Sequence, residues 1–136
     1  MKLRLTGIFV IAITVILIVI GFAISEPIIQ PEQYHQFSDT STILGIPNFW
    51  NVISNLPFLI IGIAGVLYFL DQTNRLPYLI FFSGIALCFF GSCYYHWYPT
   101  TETLVWDRLP MTVGFMALVS IVLMEYISIK IAYRAL

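Results

Sequence analysis

Four apolar runs, each about as long as a bilayer is thick, leave this chain few ways to fold. A spanning helix needs roughly 20 mostly apolar residues, and residues 5–24, 50–70, 76–95 and 109–129 each supply such a run. Charged side chains make up 10% of the sequence, against about 25% in soluble domains, so a fold in water would lack a polar coat. The sequence predicts an all-α integral membrane protein with about four transmembrane helices. It divides into an N-terminal anchor or signal segment, residues 1–25, and a membrane domain, residues 26–136. The net charge of −1 comes with no basic patch, so no nucleic-acid partner is expected.

The first run opens on "MKLR" and closes near "AIS", which would suit a signal peptide. Its apolar stretch exceeds the roughly 7–15 residues of a signal core, and an uncleaved anchor is the expectation. Lys2 and Arg4 precede that run, Arg75 lies in the turn "DQTNR", and Lys130 and Arg134 follow the last run. The loop 25–48 has neither Lys nor Arg, and the loop before the fourth run has only Arg108 at its edge. The positive-inside rule therefore expects both termini and the "DQTNR" turn in the cytoplasm, with the two other loops outside. Tyr34, Trp50, Tyr94, Tyr95, Trp97, Tyr98 and Trp106 then gather near the outer boundary, as an aromatic belt would.

A few polar groups sit badly in so apolar a chain. Ser92 and His96 are four apart and share a helix face. Asp107 follows a short crossover at Pro99, at a depth expected to match His96. Each has an ordinary reading: Ser92 bonds its own helix backbone, His96 is an interfacial residue, and Asp107 caps a helix ahead of Pro110 or pairs with Arg108. Together, an ionisable pair at the bilayer edge marks a functional-site candidate. Asn48, Asn51 and Asn55 make a polar stripe on the second run, either bonding between helices or lining a pocket. Glu125 reads as an interfacial charge close to Lys130. His35, Asp39 and Glu32 match no known cation loop, and Cys88 and Cys93 read as apolar filler.

One histidine cannot hold a catalytic zinc, which takes about three protein ligands. No GxSxG elbow supports a serine hydrolase either. Two blocks nevertheless have a familiar wording. "NFWNVISNLPF" is similar to the F-W-N-x-x-S-N opening of the first core helix in the alkaline ceramidase family. Ser92-x-x-x-His96 followed by "WDRLPM" with Asp107 is similar to that family's S-x-x-x-H and D-E-L-P-M. The chain thus resembles the alkaline ceramidases, within the seven-helix membrane hydrolases that include the adiponectin and progestin receptors. The likeness runs from about Tyr34 to Glu125, and "YHQF" is closest to the bacterial branch. It implies a zinc-dependent amide hydrolase acting on ceramide-like lipids in the membrane. His96 would be a zinc ligand, Asp107 would handle the proton of the attacking water, and Ser92 would polarise the amide carbonyl. Zinc suits that chemistry, since it brings the pKa of its water to about 7.

Two departures qualify the resemblance. The family's other two zinc histidines lie in an H-x-x-x-H on its last helix, and this chain has none. The expectation is an N-terminal part that does not hold zinc firmly alone. At the positions matching the calcium site of animal members stand Tyr34, His35, Phe37, Asp39 and Asn48. Only two of these keep an oxygen side chain suited to calcium, so no calcium is expected. The competing reading is a non-catalytic four-helix membrane protein, a degenerate homologue or a lipid-binding or receptor-like relative. The sequence leaves the oligomeric state open.

Overall fold

The computed structural model describes residues 30–136 and six positions of the first apolar run: Ile13, Ile16, Leu17, Ile20, Gly21 and Ile24, all helical. The remainder of the expected 5–24 span, and the choice between anchor and signal, lies outside the described residues. From residue 31 onward the chain forms a 3-10 turn (Glu32–His35) and a hairpin of β1 (Thr42–Ile43) and β2 (Ile46–Pro47). Five helices follow: α1 (Phe49–Ile53), α2 (Leu56–Phe69), α3 (Leu76–Trp97), α4 (Thr101–Tyr126) and α5 (Ile129–Ala135). Three stretches are long and apolar enough to cross a membrane: Phe49–Phe69, Leu76–Trp97 and Thr101–Tyr126. They correspond to the last three of the four sequence runs.

Local chemistry sets the boundaries. Leu44 and Gly45 take positive φ values of 54° and 79°, the backbone that a two-residue hairpin turn needs. Pro57 has no N–H to offer the Ile53 carbonyl, so the chain breaks at Ser54–Asn55 between α1 and α2. The Arg75 guanidinium donates to the Leu70 carbonyl at the end of α2. Pro77 then sits in the first turn of α3, where its missing N–H costs nothing. α3 stops before Pro99, with Tyr98 pushed to φ −131°, ψ 81°.

α4 begins two turns earlier than the apolar pattern suggested. Thr100 accepts from the Thr103 N–H at 3.2 Å, and Thr103 Oγ1 accepts from the Thr100 N–H at 3.1 Å, a reciprocal capping box. The polar start "TETLVWDR" hid this turn from a hydropathy reading. Two expectations change as a result. Asp107 lies inside the helix and caps nothing, and Pro110 is interior, not first-turn. At the other end α4 stops at Tyr126 and does not run to 129. The chain reverses through Ile127–Ser128, and α5 folds back on α4. There the Ser120 hydroxyl donates to the Ala132 carbonyl at 2.8 Å, with both residues fully buried.

α2, α3 and α4 are neighbours in chain order, α3 packing against both of the others. Ile60, Ile61, Leu67, Leu87, Phe90 and Phe115 point outward, and a surface so rich in large apolar groups suits hydrocarbon better than water. The tightest crossing is between α3 and α4. A Cβ on Gly91 would fall on the Trp106 carbonyl oxygen and lie 3.3 Å from the Asp107 Cα, whereas one on Gly114 would meet nothing within 4 Å. Overpacking a close contact costs about 1–3 kcal/mol. We therefore expect Gly91→Ala to lower the thermal unfolding midpoint in detergent clearly, and Gly114→Ala to leave it nearly unchanged. Equal midpoints for the two variants would mean that the crossing at Gly91 is looser than described.

Candidate functional site

The close crossing at Gly91 brings the C-terminal turns of α3 against the second turn of α4, and with them Ser92 and Asp107. Both line one cavity of about 280 Å³, together with Phe58 of α2, Cys88 of α3 and Met111 of α4. Ser92 is 8% exposed, yet its hydroxyl makes no hydrogen bond among the described residues, and the helix-backbone bond open to a serine is not formed. Asp107 is half-buried and accepts none either. Arg108 does not pair with it. The Arg108 guanidinium donates instead to the Tyr34 hydroxyl at 3.0 Å and lies 5.6 Å from that ring's centre.

His96 stands one turn beyond Ser92 on the same face of α3. It does not line the cavity. Its Nδ1 is fully buried without a hydrogen-bond partner, a condition that costs about 1–3 kcal/mol. The Phe37 ring packs against it, with centroids 4.7 Å apart and planes at 57°. Ser92, His96 and Asp107 thus lie at one end of an apolar helix pair, and among the described residues His96 Nδ1 is the one buried side-chain nitrogen or oxygen without a partner. Ser92 and Asp107 share a cavity, and His96 is covered beside them.

The other polar residues singled out from the sequence have found partners or lie apart. Asn51 is half-buried on α1. Its N–H donates to Asp39 at 3.2 Å, and its carbonyl accepts from the Asn55 side chain at 2.8 Å. Asn55 is 6% exposed, and this bond back from the break to α1 gives its Nδ2 a partner. Of the three-asparagine stripe, Asn48 alone reaches α3, donating its Nδ2 to the His96 carbonyl at 2.8 Å. Glu125 accepts from the Tyr78 hydroxyl at 2.6 Å, so its partner is on α3 and is not Lys130.

Sequence reasoning passed over the loop that holds this end together. His35 uses both ring nitrogens, Nδ1 with the Tyr95 hydroxyl at 3.0 Å and Nε2 with Thr101 Oγ1 at 3.2 Å. It ties the loop to α3 and α4 and has no nitrogen to spare. Asp39 caps α1 from ten residues upstream: its Oδ2 accepts from the N–H groups of Trp50 at 2.8 Å and Asn51 at 3.2 Å. Its Oδ1 accepts from the Ser41 N–H at 3.0 Å and from the Ser41 hydroxyl. The stretch "SDTS" carries the signal for this Asx-type turn, but nothing in it names the remote helix start.

Chemically, the group offers a hydroxyl donor, a carboxylate able to accept a proton, and one imidazole with an unsatisfied nitrogen. That is fewer ligands than a catalytic zinc takes. Among the described residues no set of three His, Cys, Asp or Glu is placed to hold a metal. With His35 committed elsewhere, the residues present do not amount to a zinc site. Compared with family models, curated proteins and solved structures, the chain gives no significant match.

The Asp39 cap carries a pH signature. The Ser41 hydroxyl, followed by the Ser41, Asn51 and Trp50 amides, holds the Asp39 carboxyl below its ordinary value of 3.8 despite some desolvation. A carboxyl depressed by folding stabilises above its unfolded pKa and loses that contribution as pH falls through its folded one. The Trp50 and Asn51 amides should therefore keep their hydrogen-exchange protection at mildly acidic pH and lose it only below the ordinary 3.8. Asp39→Asn should abolish this acid step. An unchanged step in the variant would remove Asp39 from the cap.

Proposed function

We propose that Ser92, His96 and Asp107 form one wall of a membrane-embedded site that hydrolyses the amide of ceramide-like sphingolipids. The observation that carries the reading is the shared cavity of Ser92 and Asp107, two unbonded polar groups between apolar helices. Polar groups are costly to strand in such surroundings unless something else is meant to meet them. The likeness of the S-x-x-x-H and "WDRLPM" blocks to alkaline ceramidases supplies the substrate class.

In this reading the Ser92 hydroxyl donates to the amide carbonyl oxygen as charge develops there, and the Asp107 carboxylate takes a proton from the attacking water. His96 is the one imidazole free to serve as a zinc ligand. Zinc would need donors beyond this chain's two histidines, so residues 30–136 alone are expected to be inactive. The distribution of Lys and Arg supports both termini in the cytoplasm and the polar site near the outer face. That shortage of donors equally favours a second reading, in which the same cavity binds a lipid amide without cleaving it.

Two measurements test this. With Cys88 and Cys93 replaced by alanine, Glu102→Cys should react with a membrane-impermeant thiol reagent in intact cells, and Gln72→Cys should not. The reverse pattern would put the polar site on the cytoplasmic side. Next, a photoreactive ceramide should crosslink to α3 and α4 of the purified chain, with no fatty acid released. Joined to a helix that supplies an H-x-x-x-H pair, the chain should release fatty acid from labelled ceramide. His96→Ala should abolish that turnover, and Asp107→Asn should lower it at least about 100-fold. Ser92→Ala should cost no more than about 2.7–4 kcal/mol of barrier. Crosslinking without turnover in the extended form would favour the binding reading, and absence of crosslinking would sink both.

A further inference from the structure

We infer that segment 34–48 is a strap that positions the His96 imidazole, with Phe37 and Asn48 as its positioning residues. The inference rests on the reading of His96 as a working group of the polar site.

The strap is fixed along its length. Tyr34 is held by Arg108 of α4, and His35 by Tyr95 of α3 and Thr101 of α4. Asp39 is bound to the first N–H groups of α1. Between these anchors Phe37 meets Tyr95 edge-on, with centroids 5.5 Å apart, and packs tilted against the His96 ring. At the far end Asn48 adopts φ 49°, ψ 45°, a left-handed backbone that asparagine enters more readily than most residues. From there its amide reaches the His96 carbonyl.

Each contact constrains a different part of His96. The carbonyls in the last turn of a helix have no intrahelical donor. Asn48 supplies one to His96 itself and so fixes its peptide plane. Phe37 packs on the side chain and limits ring rotation. His96 Nδ1 is sealed from its surroundings without a partner, while Nε2, equally unbonded, is not sealed. The strap therefore presents Nε2 as the working nitrogen. The Phe49 N–H adds a backbone tie, donating to the Ser41 carbonyl at 3.2 Å.

Carbethoxylation by diethyl pyrocarbonate, read at each histidine of the intact chain in detergent by mass spectrometry, tests this without requiring turnover. In the unaltered chain His96 should take a single adduct. In Phe37→Ala it should react up to about tenfold faster, the ceiling set by loss of one aromatic pair, and acquire a second adduct as the ring is uncovered. Phe37→Tyr should restore the single adduct. Asn48→Gly keeps the left-handed backbone but removes the amide, and it should also speed labelling. Leu44→Ala, at the hairpin tip, should not. Labelling of His35 reports loss of the whole strap. If Phe37→Ala shows that, Phe37→Leu takes its place, with faster labelling confined to His96 supporting the inference. Unaltered rate and adduct number at His96 in both the Phe37 and Asn48 variants would overturn it. Failure of ceramide turnover would sink the proposed function and leave this result standing.

Discussion

Pro110 lacks the N–H that would normally close a hydrogen bond to the Trp106 carbonyl, and that carbonyl oxygen lies against Gly91 of α3. An interior proline is costly to a helix because it removes a bond and crowds the preceding turn. Here the affected turn abuts the one residue type with no side chain to obstruct it. The result is a backbone-to-backbone approach between α3 and α4, of the kind small residues allow where apolar helices meet. Ser92 follows Gly91 and Asp107 follows Trp106. The contact that brings the two backbones together therefore also sets the polar pair beside one cavity. Any residue larger than glycine at 91 would move the helices apart and separate the pair.

Around this contact the apolar helices treat their polar groups in two ways. Asn55 bonds back to α1, Ser120 bonds α5, Glu125 meets Tyr78, and Asp39 and Asn48 satisfy a helix start and a helix end. These bonds account for the residues concerned without any reference to function. Ser92, His96 and Asp107 are treated otherwise, since neighbouring polar groups are present and go to other partners. Arg108 is next in sequence to Asp107 but turns to Tyr34, and Asn48 takes the His96 carbonyl, not its ring.

How far the sequence could be read depended on range. Length and hydropathy were enough to place the three long stretches, because each is mostly apolar over about a bilayer's thickness, but they did not show the break at Ser54–Asn55. The start of α4 was missed because Thr100 and Thr103 cap it by a local reciprocal bond that hydropathy does not register, while Glu102, Asp107 and Arg108 lower the apolar average. Ser92, His96 and Asp107 were legible because their spacing on two adjacent helices implies a common depth. The strap was not. His35 and Tyr95 are 60 residues apart, and Asn48 and His96 are 48 apart. Nothing in a hairpin-and-turn sequence states which helix end it will reach.

The long-range ties also bear on how a group with too few ligands for zinc can still be firmly held. A functional group needs to be held in place, and it needs enough companions for the chemistry. Residues 30–136 meet the first requirement in full: His96 is fixed at its carbonyl and its ring, and Ser92 and Asp107 are fixed by the helix crossing beneath them. They do not meet the second, since a catalytic zinc takes about three protein ligands and His35 is tied up in holding the strap. Holding a group in place is expensive, because one buried nitrogen goes unsatisfied and an interior proline must be accommodated. Both features lie at the same end of the α3–α4 pair, and the cavity beside them is lined by Phe58 and Met111 as well as by Ser92 and Asp107.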